Sequence, residues 1–232
     1  MIGGASGDML LGAMVAVGLD LDELQVELDK FPDRGYRLEK TLVKRGGLQA
    51  ILVDVVLDDD GARKRTWNDF YSSIANSTLE DSNKHSIKRI FDVLAVAEAA
   101  AHGGKSGSTH LHELGTVDTL VDISSAVIGM QLLGVTKIHA SAFPSGTGSS
   151  GSSHGVMGAT SIATAAIYKT SAAPVRAGGR QPVGEAVTPT GAAIVSTLAE
   201  FMPVEFSADR IGYGAGQRDP DGFSNVVGLW IG

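Results

Sequence analysis

Two histidines, a glutamate and two aspartates fall within the thirteen residues HLHELGTVDTLVD, at 110–122. The HLHE part is predicted to be extended. Alternate side chains of an extended segment share one face, so His110 and His112 point the same way and Glu113 points the opposite way. Imidazoles combined with nearby carboxylates suit a borderline divalent metal ion. The spacing therefore favours a metal-handling site in this stretch.

The second half of the stretch is predicted to open a helix near Thr116 that runs to about Leu133. Asp118 and Asp122 are four residues apart and share one helix face. The predicted metal ligands are His110, His112, Asp118 and Asp122. An alternative stays open, because Thr116 is a reasonable N-cap and acids in a first turn complement the helix dipole. Capping accounts for Asp118, but less well for Asp122, and not for the two histidines.

The N-terminal sequence GGASGDM predicts a glycine-rich loop that enters a helix over the apolar run Met9–Val17. Ser6 is a plausible N-cap, and the free amides at such a helix start can hold an anion. Loops of this type usually follow a strand, yet only Met1 and Ile2 precede it, so the strand is either trimmed off or supplied by another element. GASGD differs from the GxSxG nucleophile elbow, which argues against Ser6 as a nucleophile.

A second strong helix start lies at Thr188, which is followed by proline at 189 and leads into an apolar helix ending at Glu200. The exposed amides, with the hydroxyls of Thr188 and Thr190, form a second candidate anion site. The simpler interpretation is a well-capped helix.

The glycine- and serine-rich stretch Ser145–His154 predicts a mobile loop or a strained hairpin. His154, at its end, could close over a bound substrate, and the alternative is an ordinary surface histidine. The basic residues 63–65 are either solvated or placed to meet a phosphate. The GGKS sequence at 103–106 is not a P-loop, because the first glycine of that motif would fall on an alanine and the segment follows a helix.

The predicted helices and strands, which must position these residues, indicate an α+β (mixed α/β) fold, with sheets covered by helices on at least one face. Residues 1–232 form one region, with a division into two lobes near 145–155 left open. The predicted helices are Met9–Val17, Leu19–Lys30, Trp67–Ile74, Asp81–His102, Thr116–Leu133, Ser161–Lys169 and 189–200. The predicted strands are Tyr36–Lys44, Leu48–Leu57, Lys137–Phe143, Pro174–Ala177, Val204–Ile211 and Asn225–Ile231, with a glycine-rich turn at Gly212–Gly216.

The composition excludes several classes of function. A net charge of −7 leaves no basic stripe for nucleic acid, and the lack of cysteine means that a metal must use nitrogen and oxygen ligands. No signal peptide or membrane-spanning run is present, so we expect a cytoplasmic location by default.

Four motifs, SGDM, HLHELGTVDTLVDI, AVTPTGAA and IGYGAGQRD, occur in the order that resembles the LarC family, the nickel-insertion proteins of lactate racemase maturation. The resemblance implies a nickel-inserting lyase that acts on a thiocarboxylated pyridinium mononucleotide. Such an enzyme forms a nickel–carbon bond by cyclometallation, builds a nickel-pincer cofactor and consumes CTP. Family members usually carry a further C-terminal domain, associated with CTP and Mn²⁺ or Mg²⁺, which is absent from this sequence.

The resemblance also implies site residues. The family's HFHE-type motif falls on His110, His112 and Glu113, and its histidine-glycine on His154 and Gly155. The SGDM loop, implied to bind the mononucleotide, comprises Ser6, Gly7, Asp8 and Met9; the ELVTPTG-like motif contributes Glu185, Thr188, Thr190 and Gly191. The family's proline-rich sequence after the histidine-glycine is replaced by 156–162, and a histidine expected in the basic patch is Arg or Lys at 63–65.

The leading hypothesis is therefore an enzyme in which Glu113, Asp118 or His154 accepts the ring proton as nickel attacks. The phosphate would bind at the helix start near Ser6–Asp8 or Thr188–Gly191. The alternative is a non-catalytic module that binds metal or nucleotide and acts with a separate C-terminal-domain polypeptide. A homo-oligomer is left open, and a serine hydrolase is a distant third hypothesis.

Overall fold

The computed structural model describes residues 1–103, 111, 114–152, 155–178, 181–220 and 222–232. The helices are α1 (Gly7–Ala16), α2 (Leu21–Leu28), α3 (Trp67–Asn76), α4 (Asp81–His102), α5 (Val117–Leu132), α6 (Ile162–Ser171) and α7 (Pro189–Leu198). The strands are β1 (Tyr36–Arg45), β2 (Leu48–Leu57), β3 (Phe143–Pro144), β4 (Ser149–Ser152), β5 (Gly155–Gly158), β6 (Val175–Arg176), β7 (Arg210–Ala215) and β8 (Val226–Ile231). The predicted α+β class is confirmed.

The largest sheet in the described residues has four strands in the order β1-β2-β7-β8. β1 and β2 form the predicted antiparallel hairpin, in which Arg45 lies opposite Leu48. β7 and β8 form a second antiparallel hairpin, and the two hairpins meet where β2 and β7 run parallel at Ile51 and Gly214. The sheet therefore joins the first quarter of the chain to its last residues.

Helix α1 lies directly on this sheet because glycines face it. A methyl group on Gly214 would overlap the carbonyl oxygen of Met9, and one on Gly12 would overlap the carbonyl oxygen of Ile51. Glycine inside a strand often marks such a close backbone approach. The predicted turn at Gly212–Gly216 and the predicted strand Val204–Ile211 are therefore wrong, since β7 spans Arg210–Ala215.

The helices α4, α5, α6 and α7 pack around a core in which α5 is buried along most of its length. Aromatic side chains extend this core, and the ring centroids of Phe70 and Phe91 lie 5.1 Å apart. One hydrophobic cluster contains residues from both sides of 145–155, including Ile128 and Ile167. The division into two lobes stays a prediction. Among the helices described, none has both the length and the apolar character needed to cross a bilayer.

The segment 137–143 was predicted as one strand, and the structure corrects this. Backbone hydrogen bonds join Ala140 N to Glu200 O at 3.0 Å and Glu200 N to Ile138 O at 2.9 Å. They form a single bridge at His139, and the strand β3 begins only at Phe143. The alternating pattern of 137–143 therefore does not form a continuous strand, because in the described residues it makes only this one bridge before β3. Further along, β4 and β5 pair as a hairpin within the glycine- and serine-rich region.

Candidate functional site

The start of α1 and the first turns of α5 lie side by side. A methyl group on Gly7 would overlap the carboxylate of Asp122, so no side chain separates α1 from this acid. Seven residues further along each helix, Gly129 faces Met14, whose sulphur would lie 2.8 Å from an added Cβ. The two helices therefore run parallel, and their positive N-terminal ends lie together.

The start of α7 lies next to the same loop. The backbone of Ala5 donates to Ala186 O at 3.1 Å, and its carbonyl accepts from Thr188 N at 3.1 Å. A methyl group on Gly191 would overlap the carbonyl oxygen of Ala5, which shows how closely α7 approaches. The strand expected before the glycine-rich loop is represented in the described residues by a single parallel bridge between Ala5 and Val187. Three helix N-termini thus converge at one place.

The N-cap residues of α1 and α5 make the same hydrogen bonds as each other, and these are not the N-cap bonds expected from the sequence. Ser6 and Thr116 occupy the N-cap positions, but neither side chain accepts a hydrogen bond from the amides of its helix. Each hydroxyl instead donates to the aspartate two residues on, Ser6 to Asp8 and Thr116 to Asp118. The hydroxyl therefore orients a carboxylate. Thr188 does cap its helix, since its hydroxyl oxygen accepts from Gly191 N at 3.1 Å.

The carboxylates at this place repel one another in a poorly solvated environment. Burial raises the pKa of Asp8, and the hydrogen bond from Ser6 opposes that rise. Burial raises the pKa of Asp122 well above its usual value, and the nearby charges of Asp8 and then Asp118 add to the shift. Buried acids of like charge favour a shared proton or a bound cation, because either one reduces the repulsion.

The predicted ligands divide into two groups. Asp118 and Asp122 both belong to α5, four residues apart, and Asp122 faces Gly7. His110, His112, Glu113 and His154 lie outside the described residues. Within the described ranges no group of three or more histidine, aspartate and glutamate side chains is arranged to hold a metal ion. The metal-ligand assignment therefore stays a prediction.

Two residues in and next to the histidine motif, Leu111 and Gly115, have fixed contacts with the rest of the protein. Leu111 is buried in the main core cluster, and Gly115 O accepts a hydrogen bond from Arg65 N at 2.6 Å. Leu111 and Gly115 are also neighbours, since a Cβ added to Gly115 would lie 2.7 Å from the carbonyl oxygen of Leu111.

The predicted mononucleotide-binding residues Ser6, Gly7, Asp8, Thr188, Thr190 and Gly191 all lie at the joined starts of α1 and α7. Glu185 is half-buried, and the guanidinium of Arg218 donates to its main-chain carbonyl. Burial, and then the charge of Glu185, raise the pKa of Tyr168, whose hydroxyl has no hydrogen-bond partner in the described part of the chain. The two candidate anion sites predicted separately are thus neighbours.

The sequence alone did not predict the roles of Asp8 and Arg65. Asp8 was assigned to the mononucleotide loop alone, but it is also a charged neighbour of Asp122. The signal was present, because Ser6-Gly7-Asp8 and Thr116-Val117-Asp118 share the same spacing. The basic patch also differs from one of its interpretations, since Arg65 is buried and paired with Asp33 and cannot meet a phosphate.

Comparisons with known proteins agree over the whole chain. The family model described as "Nickel insertion protein" matches residues 1–232. A Dictyoglomus thermophilum protein named "Putative nickel insertion protein" is 35% identical over 99% of this chain and 58% of its own length. A Nocardioides protein named "Pyridinium-3,5-bisthiocarboxylic acid mononucleotide nickel insertion protein" is 38% identical over the same shares. The chain thus spans less than two thirds of these relatives. No solved structure matches it.

Proposed function

The chain belongs to the nickel insertion protein family, and from that premise we propose that it inserts nickel into a thiocarboxylated pyridinium mononucleotide. The product would be the nickel-pincer cofactor of lactate racemase-type enzymes. In this cyclometallation a ring C–H bond breaks, a nickel–carbon bond forms and the ring proton passes to a base. Nickel is therefore a substrate that the protein must bind and then release. We expect this reaction in the cytoplasm.

The observation that carries the proposal is the carboxylate pair at the joined starts of α1 and α5. Asp122 lies against Gly7 with Asp8 close by, and burial, followed by the like charges of Asp8 and Asp118, raises its pKa. A divalent cation relieves this repulsion, and it competes with protons for the same oxygens. Such a site binds metal moderately at neutral pH, which suits an ion that must move on to another ligand.

The full ligand set would combine His110 and His112 with Asp118 and Asp122. Imidazole and carboxylate ligands suit nickel better than they suit calcium or magnesium. Leu111, which lies between the two histidines in sequence, is buried beside Gly115, and Gly115 is held through Arg65 just before α5 begins, which supports this set. Glu113, Asp118 or His154 would take the ring proton.

The phosphate of the mononucleotide would bind where α1 and α7 begin. The loop Ser6–Asp8 lies beside the start of α7 at Thr188–Gly191, so the two helix starts are neighbours. Helix N-termini bind phosphate through these free amides and through the helix dipole. Glu185 lies just before the second helix start and would contact the nucleoside part.

Turnover would involve CTP with Mn²⁺ or Mg²⁺, through a region that relatives have and this chain does not span. A second candidate function rests on binding alone, for a chain that spans 58% of the length of two relatives. In the second function the chain is a binding module that holds Ni²⁺ or the mononucleotide for a separate polypeptide.

One assay separates the two functions. The chain is incubated with the mononucleotide precursor and Ni²⁺, with and without CTP and Mg²⁺, and the nickel adduct is measured by mass spectrometry. Adduct formation by this chain alone supports the enzyme and excludes the module. Ni²⁺ or precursor binding without adduct supports the module, and failure to bind either ligand contradicts both functions.

A further inference from the structure

Arg65 is a buried cation at the centre of a hydrogen-bond network that the proposed chemistry does not use. It is 3% exposed, and its Nε lies 2.8 Å from the carboxylate of Asp33. Its Nη1 donates to the carbonyl oxygens of Gly61 at 3.1 Å and Arg63 at 3.0 Å. The hydroxyl of Ser73 donates to the other carboxylate oxygen of Asp33. Nη1 also lies 3.5 Å from the carbonyl oxygen of Asp60, so the guanidinium joins one side-chain and three main-chain partners.

The arginine is attached to a turn that is itself rigidly built. The carboxylate of Asp58 accepts from the amides of Asp60 at 2.9 Å and Gly61 at 3.0 Å. Gly61 packs so closely on Gly35 that a methyl group would overlap the carbonyl oxygen of Gly35. We call residues 58–65 the anchor turn. These contacts fix the shape of the anchor turn without any contribution from α5.

The anchor turn holds the entrance of α5 by two main-chain hydrogen bonds. Arg65 N donates to Gly115 O at 2.6 Å, and Val117 N donates to Gly61 O at 3.2 Å. The carbonyl of Gly61 thus accepts from the Arg65 side chain and also from the first helical amide of α5. Asp118 is the next residue, and Asp122 lies one turn further on.

We propose that Arg65 is a positioning residue that fixes the entrance of α5 and thereby the direction of its two carboxylates. This inference rests on the proposed nickel function. A lysine can keep the charge opposite Asp33, but it lacks the planar fork that reaches Gly61 and Arg63 at the same time. Substituting a residue that hydrogen-bonds directly to a metal ligand typically changes metal affinity by about 10- to 100-fold, and we expect the lower end of that range here because Arg65 acts through Gly61.

The test compares Arg65→Lys with a control from the same network. Ser73→Ala removes a hydrogen bond to Asp33 but leaves the contacts of Arg65 with Gly61 intact. Amide hydrogen exchange is measured for residues 115–119 and for 190–193 at the start of α7, and Ni²⁺ affinity is measured by calorimetry. Circular dichroism checks that each variant is folded.

For Arg65→Lys we expect exchange at 115–119 to be about tenfold faster and Ni²⁺ binding to be about tenfold weaker. Exchange at 190–193 should not change, and Ser73→Ala should match the wild type in both measurements. Unchanged exchange or unchanged Ni²⁺ affinity overturns the assignment. If the wild type itself binds no Ni²⁺, the nickel function fails, and the exchange pattern alone decides the role of Arg65. If Arg65→Lys does not fold, the double variant Arg65→Gln/Asp33→Asn replaces it, because it removes the guanidinium fork without leaving a charged Asp33 unpaired.

Discussion

The starts of α3 and α5 use the same two residue types and put them to different use. At α3 the hydroxyl oxygen of Thr66 accepts from Asp69 N at 3.3 Å, and the carboxylate of Asp69 accepts from Thr66 N at 2.7 Å. This is a capping box, which needs a spacing of three residues. The Thr66 hydroxyl also donates to the carboxylate of Asp69 at 2.8 Å. At α5 the acid is two residues from the threonine, and Thr116 donates to Asp118 but accepts from no amide of its helix.

The electrostatic consequences are opposite. Hydrogen bonds from the backbone and then the side chain of Thr66 lower the pKa of Asp69, which is exposed. Burial and the charge of Asp8 raise the pKa of Asp122. An acid at a helix start is structural when its oxygens bind the amides of its own helix. It is available for a cation when it faces another helix that carries a further acid.

The largest effect should follow from Asp122→Asn. The amide keeps the shape but removes the charge that faces Asp8, so we expect Ni²⁺ affinity to fall by about 100-fold. Asp69→Asn is the matched control, because it makes the same change at the start of α3, and it should leave Ni²⁺ affinity as in the wild type. Titration calorimetry at pH 7 measures both. Equal losses in the two variants would remove the distinction between the two helix starts.

A smaller loss is expected from Gly7→Ala. The added methyl group would overlap the carboxylate of Asp122 and push it away from α1, so Ni²⁺ affinity should fall by about tenfold. Gly158→Ala is the control, since no atom lies within 4 Å of an added Cβ there and that residue has an ordinary φ. Wild-type affinity in Gly7→Ala would show that the contact with Asp122 does not matter for nickel.

The effects on folding stability should have opposite signs. The folded-state pKa of Asp122 is raised, so the folded state is penalised increasingly as pH rises from about 4 through that pKa. Asp122→Asn should therefore raise the free energy of unfolding at pH 7 by about 1 kcal/mol. The folded-state pKa of Asp69 is lowered, so its contribution is present at neutral pH and is lost as pH falls through that pKa.

Because Asp69 is exposed and solvent screens its charge, Asp69→Asn should lower the free energy of unfolding at pH 7 by only about 0.5 kcal/mol. Urea denaturation at pH 4 and pH 7 measures both variants. At pH 4 the stabilisation by Asp122→Asn should be smaller, whereas most of the loss for Asp69→Asn should persist, because that contribution disappears only as pH falls through the lowered pKa of Asp69. Stabilisation by Asp69→Asn, or destabilisation by Asp122→Asn, would reverse the electrostatic comparison.

The smallest differences concern the two threonines. Thr66→Ala removes a cap and should cost about 1 kcal/mol of stability. Thr116→Ala removes no cap, so we expect a cost below about 0.5 kcal/mol. Thermal unfolding followed by circular dichroism compares the two. A cost for Thr116→Ala as large as that for Thr66→Ala would mean that Thr116 caps α5 in solution.

The sequence predicted most helices and the first hairpin because their signals are local. Thr188 followed by proline defines the start of α7, and glycine at 46 and 47 defines the turn between β1 and β2. β7 was missed because its glycines resemble a turn. The reason for them is the close approach of α1, a long-range contact that no local pattern contains.

The candidate site likewise depends on long-range contacts that local sequence patterns do not contain. The spacing of Asp118 and Asp122 predicted a shared helix face, and the structure places Asp122 against Gly7. That Asp8 would join them depends on two helices more than a hundred residues apart running parallel. Arg65 could not be separated from its basic neighbours by sequence, since only burial beside Asp33 distinguishes it.

The most direct test of the nickel site is calorimetry of Ni²⁺ binding to the wild type and to the double variant His110→Ala/His112→Ala. One Ni²⁺ per chain should bind to the wild type, with a proton release that depends on pH, because the carboxylates and imidazoles exchange protons for metal. The double variant should lose that binding. Identical binding curves for the two proteins would contradict the account.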